Sequence, residues 1–133
     1  MNWKLILLLS LLSIPVAILA VFAPINMIEP AIWLIFFVFY GIQIVKKTNG
    51  NYFLHGMLVS VLNGFWISII HSIFVNSYMA NNPNEEQMYS MMPHFLPLRL
   101  MILVMGPVFG IVFGLISGLI AFIIGKIIKK QPK

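Results

Sequence analysis

The chain has 133 residues, 61% of them hydrophobic and only 8% charged, with a formal net charge of +5. At a mean hydropathy of +1.01 it carries more apolar surface than a soluble domain of this size can hide, and far fewer charges than the usual one residue in about four. The basic residues lie beside apolar runs rather than in a patch interleaved with stacking aromatics, which argues against a nucleic-acid partner. Cysteine is absent, which removes disulfides, thiol chemistry and cysteine-ligated metal.

About twenty apolar residues cross a bilayer core as a helix. Four segments meet or approach that length, at about residues 5–23, 28–45, 52–78 and 98–128. The first carries Pro15 near its middle. Its "MNWK" start resembles the basic region of a signal peptide, but the apolar run is long for one. A cut after Ala23 would also put Pro24 next, so the span is expected to be retained. The second is short. The third and fourth exceed the span length and should tilt or project.

Orientation follows from the excess of lysine and arginine on the cytoplasmic side. With the N-terminus inside, Lys4, Lys46, Lys47, Lys126, Lys129, Lys130 and Lys133 all fall inside, and Arg99 falls outside with Glu29, Glu85 and Glu86. The connections at 24–30 and 46–51 are tight, the second with an Asn-Gly turn signal, so neighbouring spans run antiparallel. The expected fold is an all-α integral membrane four-helix bundle, a single transmembrane domain, up-down-up-down, with both termini cytoplasmic.

Within the third span, Gly56, Ser60, Asn63, Gly64 and His71 share about a third of the circumference at about 100° per residue. Polar groups at that depth need partners or water. Ser60, Asn63 and His71 are therefore candidates for interhelical hydrogen bonds or for the lining of a solute or proton path. His55, at the inner interface, needs no special explanation.

The outer loop, "ANNPNEEQMYSMMPHFLP", contains a helix start. Asn82 can cap, Pro83 suits the first helical position, and Glu85 stands three residues after the cap. Glu85 and Glu86 meet the positive end of the helix dipole. Met88, Tyr89, Met91 and Met92 supply an apolar side and Pro93 ends the run, so a short interfacial helix is expected at about 82–92. Arg99 could snorkel outward, or pair with Glu85 or Glu86 and so tie this helix to the fourth span.

The fourth span places Gly106, Gly110, Gly114 and Gly118 four residues apart, a glycine-zipper row along one face that Phe122 interrupts, with Gly125 off strict register. Such a row lets backbones approach closely, either within the chain or between two copies. Pro107 should kink the helix or begin its regular portion.

No metalloprotease, serine-hydrolase or phosphate-loop motif is present. The best enzymatic combination is His71, Glu85, Glu86 and His94, whose spacing matches no ligand set, and no ionisable residue sits at the midplane of a span as transporters usually require. No catalytic, cofactor-binding or metal residue is assigned.

The third and fourth spans, with "NSYMANNPNEEQMYSMM" between them and a glycine-rich last helix ending in lysines, resemble a family of small four-span bacterial membrane proteins of unknown function. The likeness covers mainly the second half of the chain and is one of layout. It implies four helices in a bacterial inner membrane and transfers no site residue. The function expected is a non-enzymatic membrane scaffold or subunit, surrounded by lipid and associating with itself or another membrane protein through the glycine face. The alternative is permeation of a small solute or ion along the polar third span.

Overall fold

A computed structural model describes residues 1–129; Lys130 and Lys133, counted above toward orientation, lie outside the described residues. All the regular structure described is helical: α1 (Trp3–Ser10), α2 (Ser13–Phe22), α3 (Glu29–Lys47), α4 (Tyr52–Ile73), α5 (Val75–Asn81), α6 (Pro83–Ser90) and α7 (Leu98–Lys129). With α1 and α2 taken together, four helical segments of 20, 19, 22 and 32 residues are long and apolar enough to cross a membrane. Their outward faces carry large apolar side chains such as Leu8, Ile35, Leu115 and Leu119, as lipid contact requires.

The first span is interrupted ahead of Pro15 rather than at it. Proline has no N–H to return to the carbonyl four residues back, here Leu11, and the helix breaks at residues 11–12. The Leu11 carbonyl accepts instead from the Ile14 N–H at 3.1 Å. The Ser10 hydroxyl donates to the Leu7 carbonyl at 2.8 Å and the Ser13 hydroxyl to the Ser10 carbonyl at 2.7 Å.

The third span also departs from expectation. Instead of running to residue 78, α4 ends at Ile73, Phe74 leaves the helical region (φ −102°, ψ 35°), and α5 begins at Val75. By contrast α7 continues unbroken through Pro107. At about 1.5 Å per residue it is roughly 48 Å long, well beyond a hydrocarbon core of about 30 Å.

Two glycine-bearing helices form the spine. A β-carbon on Gly64 of α4 would fall on the Gly106 carbonyl of α7, so only glycine fits there. Further along, β-carbons on Gly110, Gly114 and Gly118 would lie 2.9 Å from Ser60, 3.0 Å from Met57 and 2.6 Å from Phe53. Partner numbers fall on α4 as they rise on α7, so the two helices run in opposite directions. α3 joins from the side, where a β-carbon on Gly41 would lie 3.2 Å from the Ala121 Cα.

Three apolar clusters fill the bundle among the described residues, the smallest formed by Val16, Ala20 and Ile25. Ile6, Phe37, Tyr40, Ile44, Val59 and Ala121 pack together in the half nearer the lysines. Val21, Val75, Tyr78, Met79, Tyr89 and Ile102 pack under the short helices at the other end, called here the cap end.

Candidate functional site

Most polar side chains inside the bundle are consumed by its own architecture. Asn63 is 3% exposed, and its amide is best oriented with the nitrogen toward the Ser10 and Val59 carbonyls at 3.1 and 3.2 Å. Its oxygen then faces the Tyr40 hydroxyl at 3.4 Å. Trp66 Nε1 donates to the Ser10 hydroxyl at 3.1 Å. One asparagine thus links three spans. Ser60 is buried where α4 meets Gly110.

His71 is buried and stacks on Tyr78, ring centroids 3.8 Å apart and planes 18° apart. Its Nε2 has no hydrogen-bond partner in the protein, and neither does the Ser117 hydroxyl. His55 is likewise buried, contrary to a free interfacial imidazole. Its Nε2 accepts from the Asn2 N–H at 3.1 Å while Nδ1 faces the Asn51 carbonyl at 2.8 Å, pinning the N-terminus to the start of α4.

At the cap end, two asparagines determine where the short helices sit. Asn82 donates to the Ala20 and Tyr78 carbonyls, both at 2.9 Å. Asn81 donates to the Val21 and Ser77 carbonyls at 2.9 and 3.0 Å. Ala20 and Val21 lie in the last turn of α2, whose terminal carbonyls lack helical partners. The side chain of Asn82 therefore ties two spans together and does not cap α6, so the expected capping box does not form. The short helix spans Pro83–Ser90 rather than 82–92. Met88, Tyr89 and Met92 turn inward as expected, whereas Met91 points out and is 74% exposed.

Between α5, α6 and the first turn of α7 lies a cleft of about 470 Å³. Its apolar floor is built by Val75, Met79, Leu98 and Met101, and its polar rim by Asn76, Glu86, Ser90 and His94. Of the four residues in the enzymatic combination, the cleft brings together Glu86 and His94 only. His71 is stacked on Tyr78 and does not line the cleft. Glu85 does not line the cleft, and burial followed by the Glu29 charge raises its carboxyl above the ordinary 4.5. Burial, with the Glu85 charge adding to it, pushes the Tyr89 hydroxyl up to about 12. Of the two alternatives for Arg99, the ion pair with Glu85 or Glu86 is not formed: Arg99 is exposed, and its backbone carbonyl accepts from the Ser72 hydroxyl at 3.3 Å.

No protein-family model, curated protein or solved structure matches this chain. The reading of the site accordingly rests on its geometry. Among the described residues no group of three or more histidine, aspartate or glutamate side chains is placed to hold a metal ion. The rim offers one carboxylate, one imidazole, a hydroxyl and an amide above an apolar floor. Such a site can hold an amphiphile by its polar end. Sequence reading missed Asn76, Ser90 and the roles of Asn81 and Asn82. Their only signal was an unusual density of asparagine after the third span.

Proposed function

We propose that the protein is a non-enzymatic integral membrane component that binds an amphiphilic cation in the cleft at its cap end. The observation that carries this reading is the cleft itself, whose volume of about 470 Å³ falls within the span of about 300–1,000 Å³ common for small-ligand sites. Its charge gives the sign of the ligand. All three acids of the chain, Glu29, Glu85 and Glu86, belong to this end, against Arg99 alone.

In this reading the bundle runs up-down-up-down with both termini cytoplasmic. Support comes from the gathering of Lys4, Lys46, Lys47, Lys126 and Lys129 at the end opposite the glutamates. The resemblance in layout suggests a bacterial inner membrane. Association through the glycine row would require α4 to be displaced, since α4 covers that face. Contact with a partner is therefore assigned to the cap end.

The test is binding of a long-chain quaternary ammonium to the purified protein, followed by calorimetry, against a neutral amphiphile of equal chain length. The cation is expected to bind more tightly, with Glu86→Gln weakening it about tenfold and Ala80→Trp, at a further lining residue, blocking the cleft. Equal binding of both amphiphiles, or full binding by Ala80→Trp, would sink the proposal. A second reading, permeation along Ser60, Asn63 and His71, draws on the unpartnered His71 Nε2 and Ser117 hydroxyl. It predicts a proton or solute flux in liposomes that falls in His71→Ala and Asn63→Leu. Absence of flux for protons, ions and small polar solutes would remove it.

A further inference from the structure

The opposite end of the bundle carries a second cavity, of about 400 Å³, lined by Tyr52, Phe122, Gly125, Lys126 and Lys129. Tyr52 opens α4, and the other four come from the last turns of α7. Gly125 allows the Tyr52 ring to lie directly on the α7 backbone, since a β-carbon there would run into that ring. The ammonium groups border the cavity. Lys126 Nζ stands 4.5 Å from the centroid of the Phe122 ring. Lys129 Nζ stands 5.1 Å from the centroid of Tyr52 and donates to the Thr48 carbonyl at 3.4 Å.

Among the described residues no carboxylate side chain stands beside these cations, since Glu29, Glu85 and Glu86, the three acidic side chains of the sequence, belong to the cap end. An anion bound from outside would complete the site. Phe122, which lines the cavity, is 41% exposed, and Leu119, about one turn earlier on the same face of α7, is 52% exposed. A ligand that satisfies both features is negatively charged at one end and apolar at the other. Basic pockets between spans at a membrane surface suit phosphate-bearing headgroups.

We infer that this cavity is a binding site for an anionic phospholipid, whose phosphate is taken by Lys126 and Lys129 and whose chains lie along Phe122 and Leu119. The inference needs only that the lysine end reaches a membrane surface, and it is independent of what the cap-end cleft binds. Phosphatidylglycerol is the probe, compared with phosphatidylcholine by native mass spectrometry of the full chain. Phosphatidylglycerol should be retained in preference. Each lysine contributes roughly a fivefold change in affinity, so Lys126→Gln/Lys129→Gln should lose about 25-fold, while Lys46→Gln/Lys47→Gln, which removes the same charge outside the cavity, should lose far less. All four lysines are exposed, so neither pair of substitutions disturbs the core. Equal retention of the two lipids, or equal losses in the two double variants, would overturn the site. Displacement of the lipid by an equal concentration of glycerol phosphate would show that the occupant is a free phosphate and would overturn the lipid assignment.

Discussion

The seam between α4 and α7 and the cap of α5 and α6 are held by opposite means. In the seam the interaction is backbone against backbone, with Gly64 set against Gly106 and Gly118 against Phe53. Its strength is van der Waals contact summed along the row, which side chains can only obstruct. In the cap, the Asn81 and Asn82 amides dock the end of α5 onto α2 through the Val21 and Ala20 carbonyls, and each also bonds back four residues to Ser77 or Tyr78. The lesson is that the spine tolerates almost no added volume, whereas the cap depends on two specific amides and could be released without unfolding the spine.

Adding volume to the seam should have the largest effect. Gly64→Leu places a side chain where the Gly106 carbonyl stands, and overpacking of this kind costs about 3 kcal/mol or more. Thermal unfolding in detergent should show loss of the cooperative transition. Normal assembly of Gly64→Leu would mean that the seam is not the spine. Gly114→Ala, whose nearest neighbours belong to Met57, should cost much less, about 1 kcal/mol.

Removing an amide from the cap comes next. Asn82 is 2% exposed, and Asn82→Ala leaves buried carbonyls without their donor, at a cost of about 2 kcal/mol. Hydrogen exchange should then rise across residues 75–90 while the α4 amides facing α7 keep their protection. A uniform rise over both regions would erase the distinction between them.

The smallest effect is a pH dependence confined to the cap. The folded-state pKa of Glu85 is raised, by burial first and then by Glu29, so the folded protein binds this proton more tightly than the unfolded chain does. Its contribution to stability is therefore present below the ordinary value of 4.5 and is lost as pH rises through the raised value. Cap protection should increase as the solution is acidified through that raised value, and Glu85→Gln should flatten that trend. An opposite slope would place Glu85 in an ion pair instead.

The four membrane-length helices could be read in advance because each is a predominantly apolar segment of about bilayer length, and lipid leaves the backbone little choice but to be helical. The glycine spacing likewise announced a close contact, though not that α4 supplies the partner surface. What could not be read depends on where distant segments come to rest. Tyr40 and Ser10 are unremarkable until Asn63 lies between them. Asn82 has the credentials of a helix cap, and only the position of the α2 terminus shows where its amide goes. The cleft follows the same logic, since Glu86 and His94 belong to one site because α6 is docked, not because of their spacing. Even Pro15 acted at a distance, breaking the helix at its carbonyl partner.

The length of α7 links the bilayer to the cleft. A 32-residue helix outruns the hydrocarbon core and must accommodate the excess by tilting or projecting. Leu98 and Met101, at the far end of that helix, are walls of the cleft. Membrane thickness thus enters as a mechanical variable: a thinner bilayer demands more tilt, and the lever that tilts carries two of the surfaces against which a ligand would rest.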